Sequence, residues 1–304
     1  MNAHEHAAHL NRAALPDRAF AIGIAINTCY VVIEGVVGLY ANSVAVLADA
    51  GHNLSDVLAL ILAWGAAALA RRRSSERFTY GLGSSTIWAA LINAVVLLVA
   101  VGSIAWEAIG RLFQPATLHP GWIIAVALAG VAVNGATAAL FFAGRKRDLN
   151  VRGAYLHMAA DAAVSLGVAV AGGVILATGW LWIDPAVSLV VSAFIVYGTW
   201  GLLLEALGMA LHSVPSSVRY ASVMDYLGGL PGVESVHDLH VWGMSTSDTA
   251  LTAHLVMPRG HPGDAFLEDA AHELERRFGI WHATLQIEHG DAGHPCKLVE
   301  HHVV

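Results

Sequence analysis

Six apolar stretches constrain this chain more than any other feature: residues about 18–40, 44–70, 85–112, 120–143, 153–178 and 182–208. Each is long enough to cross a bilayer core, which needs roughly 20 mainly apolar residues of helix. A segment in lipid must satisfy its backbone polar groups internally, so the stretches predict helices and not open sheet. Composition agrees. Charged residues are 13% of the chain against about 25% in a soluble domain, and hydrophobic residues reach 56%. That balance excludes disorder, collagen and a purely soluble enzyme. Cys29 and Cys296 lie too far apart for a disulfide framework. Residues 1–17 are polar and His-bearing and show no signal-peptide cleavage pattern.

The short connections predict orientation. Arg71, Arg72, Arg73 and Arg77 separate the second and third stretches, and Arg145, Lys146, Arg147 and Arg152 separate the fourth and fifth. The opposite connections offer only Arg111. Lys/Arg excess marks the cytoplasmic side, so six spans place both termini in the cytoplasm. Trp122, Trp180 and Trp182 fall where an outer aromatic belt would lie.

Residues 1–213 balance 11 Lys+Arg against 11 Asp+Glu, whereas residues 214–304 hold 5 against 12. The net charge of −7 therefore belongs to the tail, and 11 of the 17 histidines fall after position 211. Such a tail argues against nucleic acid or anionic lipid as its ligand and suits a cation. Its periodicity predicts a helix over 216–229, strands over 233–242 and 249–257, a helix over 263–278 and a strand over 282–289. The order αββαβ predicts a small antiparallel α+β sandwich. The expected organisation is a cytoplasmic N-terminal segment (1–17), a six-helix transmembrane domain (18–213), a small cytoplasmic α+β domain (214–292) and a tail (293–304).

Two spans carry the same ionisable pair: His52 and Asp56 in the second, His157 and Asp161 in the fifth. Members four apart share one helix face. A charge at membrane depth costs about 2.5–3.5 kcal/mol even on lenient insertion scales, so two aspartates need compensation. Each pair alone fits a hydrogen bond within or between helices. Two matching pairs facing one another would supply two imidazole nitrogens and two carboxylate oxygens, a tetrahedral set for Zn²⁺ whose carboxylates balance a dication. An empty site would resist double ionisation and take up protons, so metal and protons would compete for the same atoms. Imidazole favours Zn²⁺ and similar ions over Mg²⁺ or Ca²⁺. Asp49, one turn before His52, is a candidate for an exit path or proton relay, against helix capping or simple hydrogen bonding. Glu34 in the first span needs a polar neighbour such as Asn42, Asn53 or Asn134.

Glu34-Gly35, SVAVLADAGHNLSD (43–56), HMAADAAVSLGV (157–168) and DPAVSLVVSAFIVYGTWGLL (184–203) resemble the cation diffusion facilitator family in order, over about 18–290. The chain is most similar to its zinc-transporting branch, among bacterial zinc, cobalt and cadmium efflux proteins. The resemblance implies a six-helix membrane domain, a ferredoxin-like, metallochaperone-like cytoplasmic domain, a homodimer and proton-driven export. His52, Asp56, His157 and Asp161 fall at the family's transport site. Arg77-Phe78-Thr79-Tyr80-Gly81 fits the start of span three, but Ser84 and Thr86 stand where the family has Arg and Glu. The long His-rich loop of eukaryotic relatives is replaced between spans four and five by a short basic one, which favours a bacterial-type protein in the inner membrane.

For the cytoplasmic domain, the resemblance implies metal ligands near His237, His254 and His289, with His261 and His282 as further candidates. Seven residues separate His282 from His289, so they point to opposite sheet faces and at most one joins a given cluster. Cys296 is a candidate soft ligand or a free thiol. His4, His6 and His9 suit transient capture or a solvated end. His272-Glu273 begins a zinc-protease motif, but Arg276 stands where its second His belongs. The expected partners are divalent metal ions, protons, surrounding membrane lipid and a second copy of the chain, with no nucleic acid and no organic cofactor. No phosphate-binding Gly-Lys-Ser/Thr loop occurs, so ATP is not expected. The leading expectation is a secondary antiporter exporting Zn²⁺, with Cd²⁺ and Co²⁺ open as cargo, and not an enzyme. The alternatives are an intramembrane zinc metalloenzyme, which needs an open coordination position, and a non-transporting metal sensor.

Overall fold

The computed structural model describes residues 17–72, 74–142 and 149–290, together with Cys296 and Leu298. Six long helices come first: α1 (Asp17–Ala41), α2 (Val44–Ala70), α3 (Ser85–Phe113), α4 (Pro120–Phe142), α5 (Leu149–Thr178) and α6 (Ile183–Ala210). Then follow α7 (Tyr220–Gly228), β1 (Ser235–Gly243), β2 (Thr249–Val256), α8 (Asp264–Phe278) and β3 (Ile280–Glu288). Among the described residues, four stretches are long and apolar enough to cross a membrane: Ser85–Phe113, Pro120–Ala139, Tyr155–Thr178 and Ile183–Ala210. Asn27–Ala41 is a shorter apolar stretch. The loop bearing Arg145, Lys146 and Arg147, the histidines at 4, 6 and 9, and His294 lie outside the described residues.

The described residues form two compact units, one drawn from residues up to Leu60 and Val95–Thr199, the other from Ile61–Ala94 and from Trp200 onward. In the first unit, helix ends are set by local chemistry. α1 stops at Asn42, which adopts a left-handed conformation (φ 55°) that Asn tolerates. The Ser43 N–H then bonds back to the Gly38 carbonyl at 3.0 Å. Ser43 opens α2, its hydroxyl accepting from the Val46 N–H at 3.2 Å. Asp184, buried in the first turn of α6, accepts from the Ser43 hydroxyl and, at 2.9 Å, from the Val44 N–H. A carboxylate of one helix thus caps another, where the helix dipole favours negative charge.

Small residues let these helices approach closely, as expected where lipid supplies no hydrophobic drive for association. Ala41, Ala45, Ala127 and Ala169 pack with Val46, Ile123, Val126 and Val168. Ala48 packs with Leu97, Val101, Val191 and Ile195. Outward, Val99, Phe194 and Tyr197 are at least two-thirds exposed, a surface that suits lipid and not water. Trp122, Trp180 and Trp182 are exposed, and the last two stack with ring centroids 6.2 Å apart.

In the second unit the sheet has strand order β1-β2-β3. β1 and β2 are antiparallel, but β2 and β3 are parallel. The expectation of an antiparallel sandwich is therefore corrected at one pairing. α8 acts as a crossover that returns the chain to the starting edge, so β3 runs beside β2 in the same direction. Leu227, Leu239, Val241, Leu251, Leu255, Leu274 and Ile280 form the core between the sheet and its helices. Gly279 ends α8 in the left-handed region (φ 69°), which lets Ile280 enter the sheet at once, two residues earlier than periodicity suggested. Where Arg and Glu were expected, the Ser84 hydroxyl donates to the Met244 carbonyl at 3.3 Å and the Thr86 hydroxyl oxygen accepts from the Thr246 N–H at 3.0 Å. Neutral hydrogen bonds occupy that position.

The tightest approach in the first unit is at Gly130 of α4. A Cβ there would lie 2.2 Å from the Tyr30 hydroxyl oxygen and 2.8 Å from the Ser165 hydroxyl oxygen. Gly130→Ala is expected to destabilise the protein by about 1–3 kcal/mol, read as a lowered melting temperature in detergent. An unchanged melt would mean that α4 is not held this close.

Candidate functional site

The spacing of the His-Asp pairs sets the first site. His52 and Asp56 lie on one face of α2, His157 and Asp161 on one face of α5, and the two faces meet. The His52 Nε2 is 3.3 Å from an Asp161 oxygen, and the His157 Nε2 is 3.3 Å from an Asp56 oxygen. The contacts within each helix are longer, 3.9 Å for His52–Asp56 and 3.6 Å for His157–Asp161. The cross-helix contacts dominate, so these are not two separate intrahelical bonds. Ligands around tetrahedral Zn²⁺ at bond lengths of 2.0–2.2 Å stand about 3.3–3.6 Å apart, close to this spacing. Ligand atoms of His52, Asp56 and Asp161 all lie within 4.8 Å of one another. His157 completes the set through its contacts to both carboxylates.

Side-chain exposure is graded through the site: 45% at His157, 34% at Asp56, 23% at His52 and 3% at Asp161. The accessible members lie toward the C-terminal end of α2 and the N-terminal end of α5. The His52 Nδ1 and the Asp161 Oδ2 are buried and have no hydrogen-bond partner among the described residues. Orphaned buried polar atoms in a native site call for a ligand or ion.

Asp49 is no helix cap. Its Oδ2 accepts from the Ser165 hydroxyl of α5 at 2.9 Å. Glu34 accepts from the Tyr30 hydroxyl at 2.8 Å and from the Asn53 side chain at 3.0 Å. Asn53 was one of three candidate partners. Asn42 instead donates to the Thr117 carbonyl at 3.1 Å, and the Asn134 Nδ2 has no partner among the described residues.

The second unit brings together His237, His254, Glu288 and Cys296, whose ligand atoms lie within 4.8 Å of one another. His237 and His254 are cross-strand partners on β1 and β2, with ring centroids 5.0 Å apart. The His237 Nε2 is 3.1 Å and the His254 Nδ1 2.8 Å from Glu288 oxygens, and the Cys296 Sγ is 3.5 Å from the His254 Nδ1. Burial works against the Glu288 carboxylate, but the Cys296 thiol and His237 outweigh it and hold the group below the usual carboxylate range.

His289, His261 and His282 lie outside this cluster. The His254–Gln286 pairing places Glu288 on the His254 face and turns its neighbour His289 to the other, beside Gly260. His282 shares the face with Glu288 but lies six residues back along β3, about 20 Å at 3.3 Å per residue, with its ring against Tyr80. The His261 Nδ1 accepts from the Gly263 N–H. Asp238 was missed altogether. A bulge between His237 and His240, with Asp238 at φ 49°, brings its carboxylate within 3.4 Å of the His254 Nε2 and 2.9 Å of the His240 Nε2. The outer nitrogen of His254 is therefore held by a carboxylate while the inner one faces the cluster, as in metal sites whose imidazoles are oriented from behind.

A membrane-embedded helical bundle with a buried ligand set, joined to a small α/β domain, defines a membrane transport protein. Residues 20–209 match the profile of the cation efflux transmembrane domain, and residues 215–290 that of the cation efflux protein cytoplasmic domain. The chain belongs to the cation efflux, or cation diffusion facilitator, family and is a transporter, not an enzyme. It is 33% identical over 286 residues to the cation efflux system protein CzcD of Alcaligenes sp. strain CT14, covering 93% of this chain and 89% of that one. It is 35% identical over 284 residues to the zinc transporter ZitB of Escherichia coli K12 (92% and 90%). It is 32% identical over 301 residues to a cadmium, cobalt and zinc/H(+)-K(+) antiporter of Bacillus velezensis (97% and 94%). A solved structure of the metal-bound C-terminal domain of the CzcD transporter from Cupriavidus metallidurans is 35% identical. It covers 23% of this chain and 99% of its own, with a TM-score of 0.22.

As a metal cluster, the second site gives an asymmetric expectation. In full-length protein carrying Asp56→Ala and Asp161→Ala, Asp238→Asn weakens zinc binding about 10–100-fold, the usual effect of losing an orienting carboxylate. His289→Ala leaves it unchanged. Competition titration with a zinc indicator reads both, and the reverse order would remove His254 as a ligand.

Proposed function

We propose that this protein exports divalent cations from the cytoplasm in exchange for protons, with Zn²⁺ the principal cargo and Cd²⁺ and Co²⁺ accepted. The cargo is held by His52, Asp56, His157 and Asp161. The observation that carries the reading is the cross-helix contact of two imidazoles with two carboxylates at near-tetrahedral spacing, with orphaned polar atoms at the buried end. The names of the curated relatives, which specify zinc, cadmium, cobalt and proton exchange, support the choice of ions. The ligand set supports it chemically: nitrogen and oxygen donors suit these transition ions better than Mg²⁺ or Ca²⁺.

Exchange follows from the atoms themselves. Two carboxylates balance the charge of a bound dication, so the loaded site is close to neutral. When the ion leaves, the same atoms take up protons, because unpaired charges at membrane depth are expensive. Metal and protons thus occupy one set of atoms in turn. The arginine-rich connections support a cytoplasmic location for the accessible end of the site, with both termini on that side, in a bacterial inner membrane. In this reading residues 18–213 form the transport domain and residues 214–292 a cytoplasmic domain that binds metal through His237, His254, Glu288 and Cys296 and joins two protomers. The transport site has no thiolate, whereas the cytoplasmic cluster has one, which suits retention of metal over its release.

Everted membrane vesicles loaded by a proton gradient test this. Asp161→Ala is expected to abolish proton-coupled zinc uptake and to weaken zinc binding at the membrane site by at least ~10-fold, whereas His289→Ala transports normally. Undiminished uptake by Asp161→Ala would remove the site from the transport path.

A further inference from the structure

Glu34 of α1 and Asp49 of α2 are each 1% exposed, and neither belongs to the four proposed ligands. Glu34 accepts from Asn53, which stands one turn after Asp49 on α2, so the two buried carboxyls are neighbours. Ionised carboxylates only accept hydrogen bonds, so a buried one with an unpaired oxygen favours a proton. Two like charges side by side in a low dielectric do not both ionise. The surrounding donors narrow the ligand further. Tyr30 and Asn53 each donate to one Glu34 oxygen, and Ser165 donates to the Asp49 Oδ2. The Asp49 Oδ1 alone is left, buried and without a partner among the described residues. One free oxygen is too few for a metal ion and sufficient for a proton.

We propose that Glu34 and Asp49 form a proton-binding site separate from the metal ligands and coupled to them through α2. The proposal rests on the antiport reading. Asp49 stands one turn before His52, and Asn53, which holds Glu34, directly follows His52. Ser165 stands one turn after Asp161 on α5. Any shift of α2 or α5 that opens the metal cage therefore also alters the hydrogen bonds around the pair. The titratable groups facing it are Tyr30 from α1, His52 from α2 and Asp161 from α5, and none of these is a lysine or arginine. With no lysine or arginine among them, a proton bound to the pair offsets its second negative charge, and the pair gains or loses it as the cage fills or empties.

The test uses full-length protein in liposomes, with a zinc indicator and a pH indicator read together. Glu34→Gln and Asp49→Asn keep the shape and remove the titratable oxygen. Each is expected to bind zinc at equilibrium but to move fewer protons per zinc ion than the unaltered protein. Ser165→Ala keeps both carboxyls and removes a donor to the ionised form. It is expected to retain the proton count and shift the pH profile of zinc flux to higher pH. Because this variant retains both carboxyls, it stands as a test even where the amide variants fail to fold. Zinc flux without proton movement in the unaltered protein overturns the antiport reading itself. Normal coupling there with an unchanged proton-to-zinc ratio in Glu34→Gln and Asp49→Asn, or an unchanged pH profile in Ser165→Ala, overturns the pair alone.

Discussion

The contact between two imidazoles and two carboxylates across α2 and α5 is the interaction on which the rest of the membrane unit depends. Neither helix tolerates its pair alone, because an aspartate at membrane depth costs several kcal/mol without a partner. Facing one another, His52 and Asp161, and His157 and Asp56, remove that penalty in part. The compensation is incomplete, since the His52 Nδ1 and the Asp161 Oδ2 remain without hydrogen-bond partners among the described residues. A fully satisfied network would rigidify the bundle. An unsatisfied one favours whichever cation, proton or metal, completes it.

Such a cage works only if α2 starts at a defined height. Asp184 binds the Ser43 hydroxyl and the Val44 N–H, and the Arg111 side chain donates to the Asn42 carbonyl, so the beginning of α2 is tied to α6 and α3. His52 follows Val44 by eight residues, about two turns, and its placement is inherited from that anchor. Asp184 resembles a ligand in composition, being a buried carboxylate, but its oxygens are already engaged. Its neighbours separate the two roles, not its residue type.

The features legible in sequence were those with local periodicity. Apolar length located the six long helices, and the repeated four-residue spacing singled out His52, Asp56, His157 and Asp161, which the structure brings into contact. The αββαβ order was equally readable, because turn residues such as Gly228-Gly229-Leu230-Pro231-Gly232 separate the elements. The direction of β3 was not, since a strand's own residues do not state whether a crossover precedes it. The same gap applies to His289. Glu288 and His289 are adjacent, and only the pairing of His254 with Gln286 decides which one faces the cluster. Asp238 was hidden for a related reason: its position depends on a bulge that breaks the alternation used to assign faces. Cys296 lies outside every strand and helix, so no periodicity points to it.

The two ligand sets differ in a way that follows from what each must do. A carrier site must bind firmly enough to load and weakly enough to empty. Its donors should therefore be groups that protons displace near neutral pH, and imidazole and carboxylate meet that condition. The cytoplasmic cluster adds a thiol, a softer donor that strengthens the hold on zinc-like ions. Three of its four members stand on a three-stranded sheet with a packed core. Of the two candidate sets, only the one in the second unit contains a thiol, Cys296.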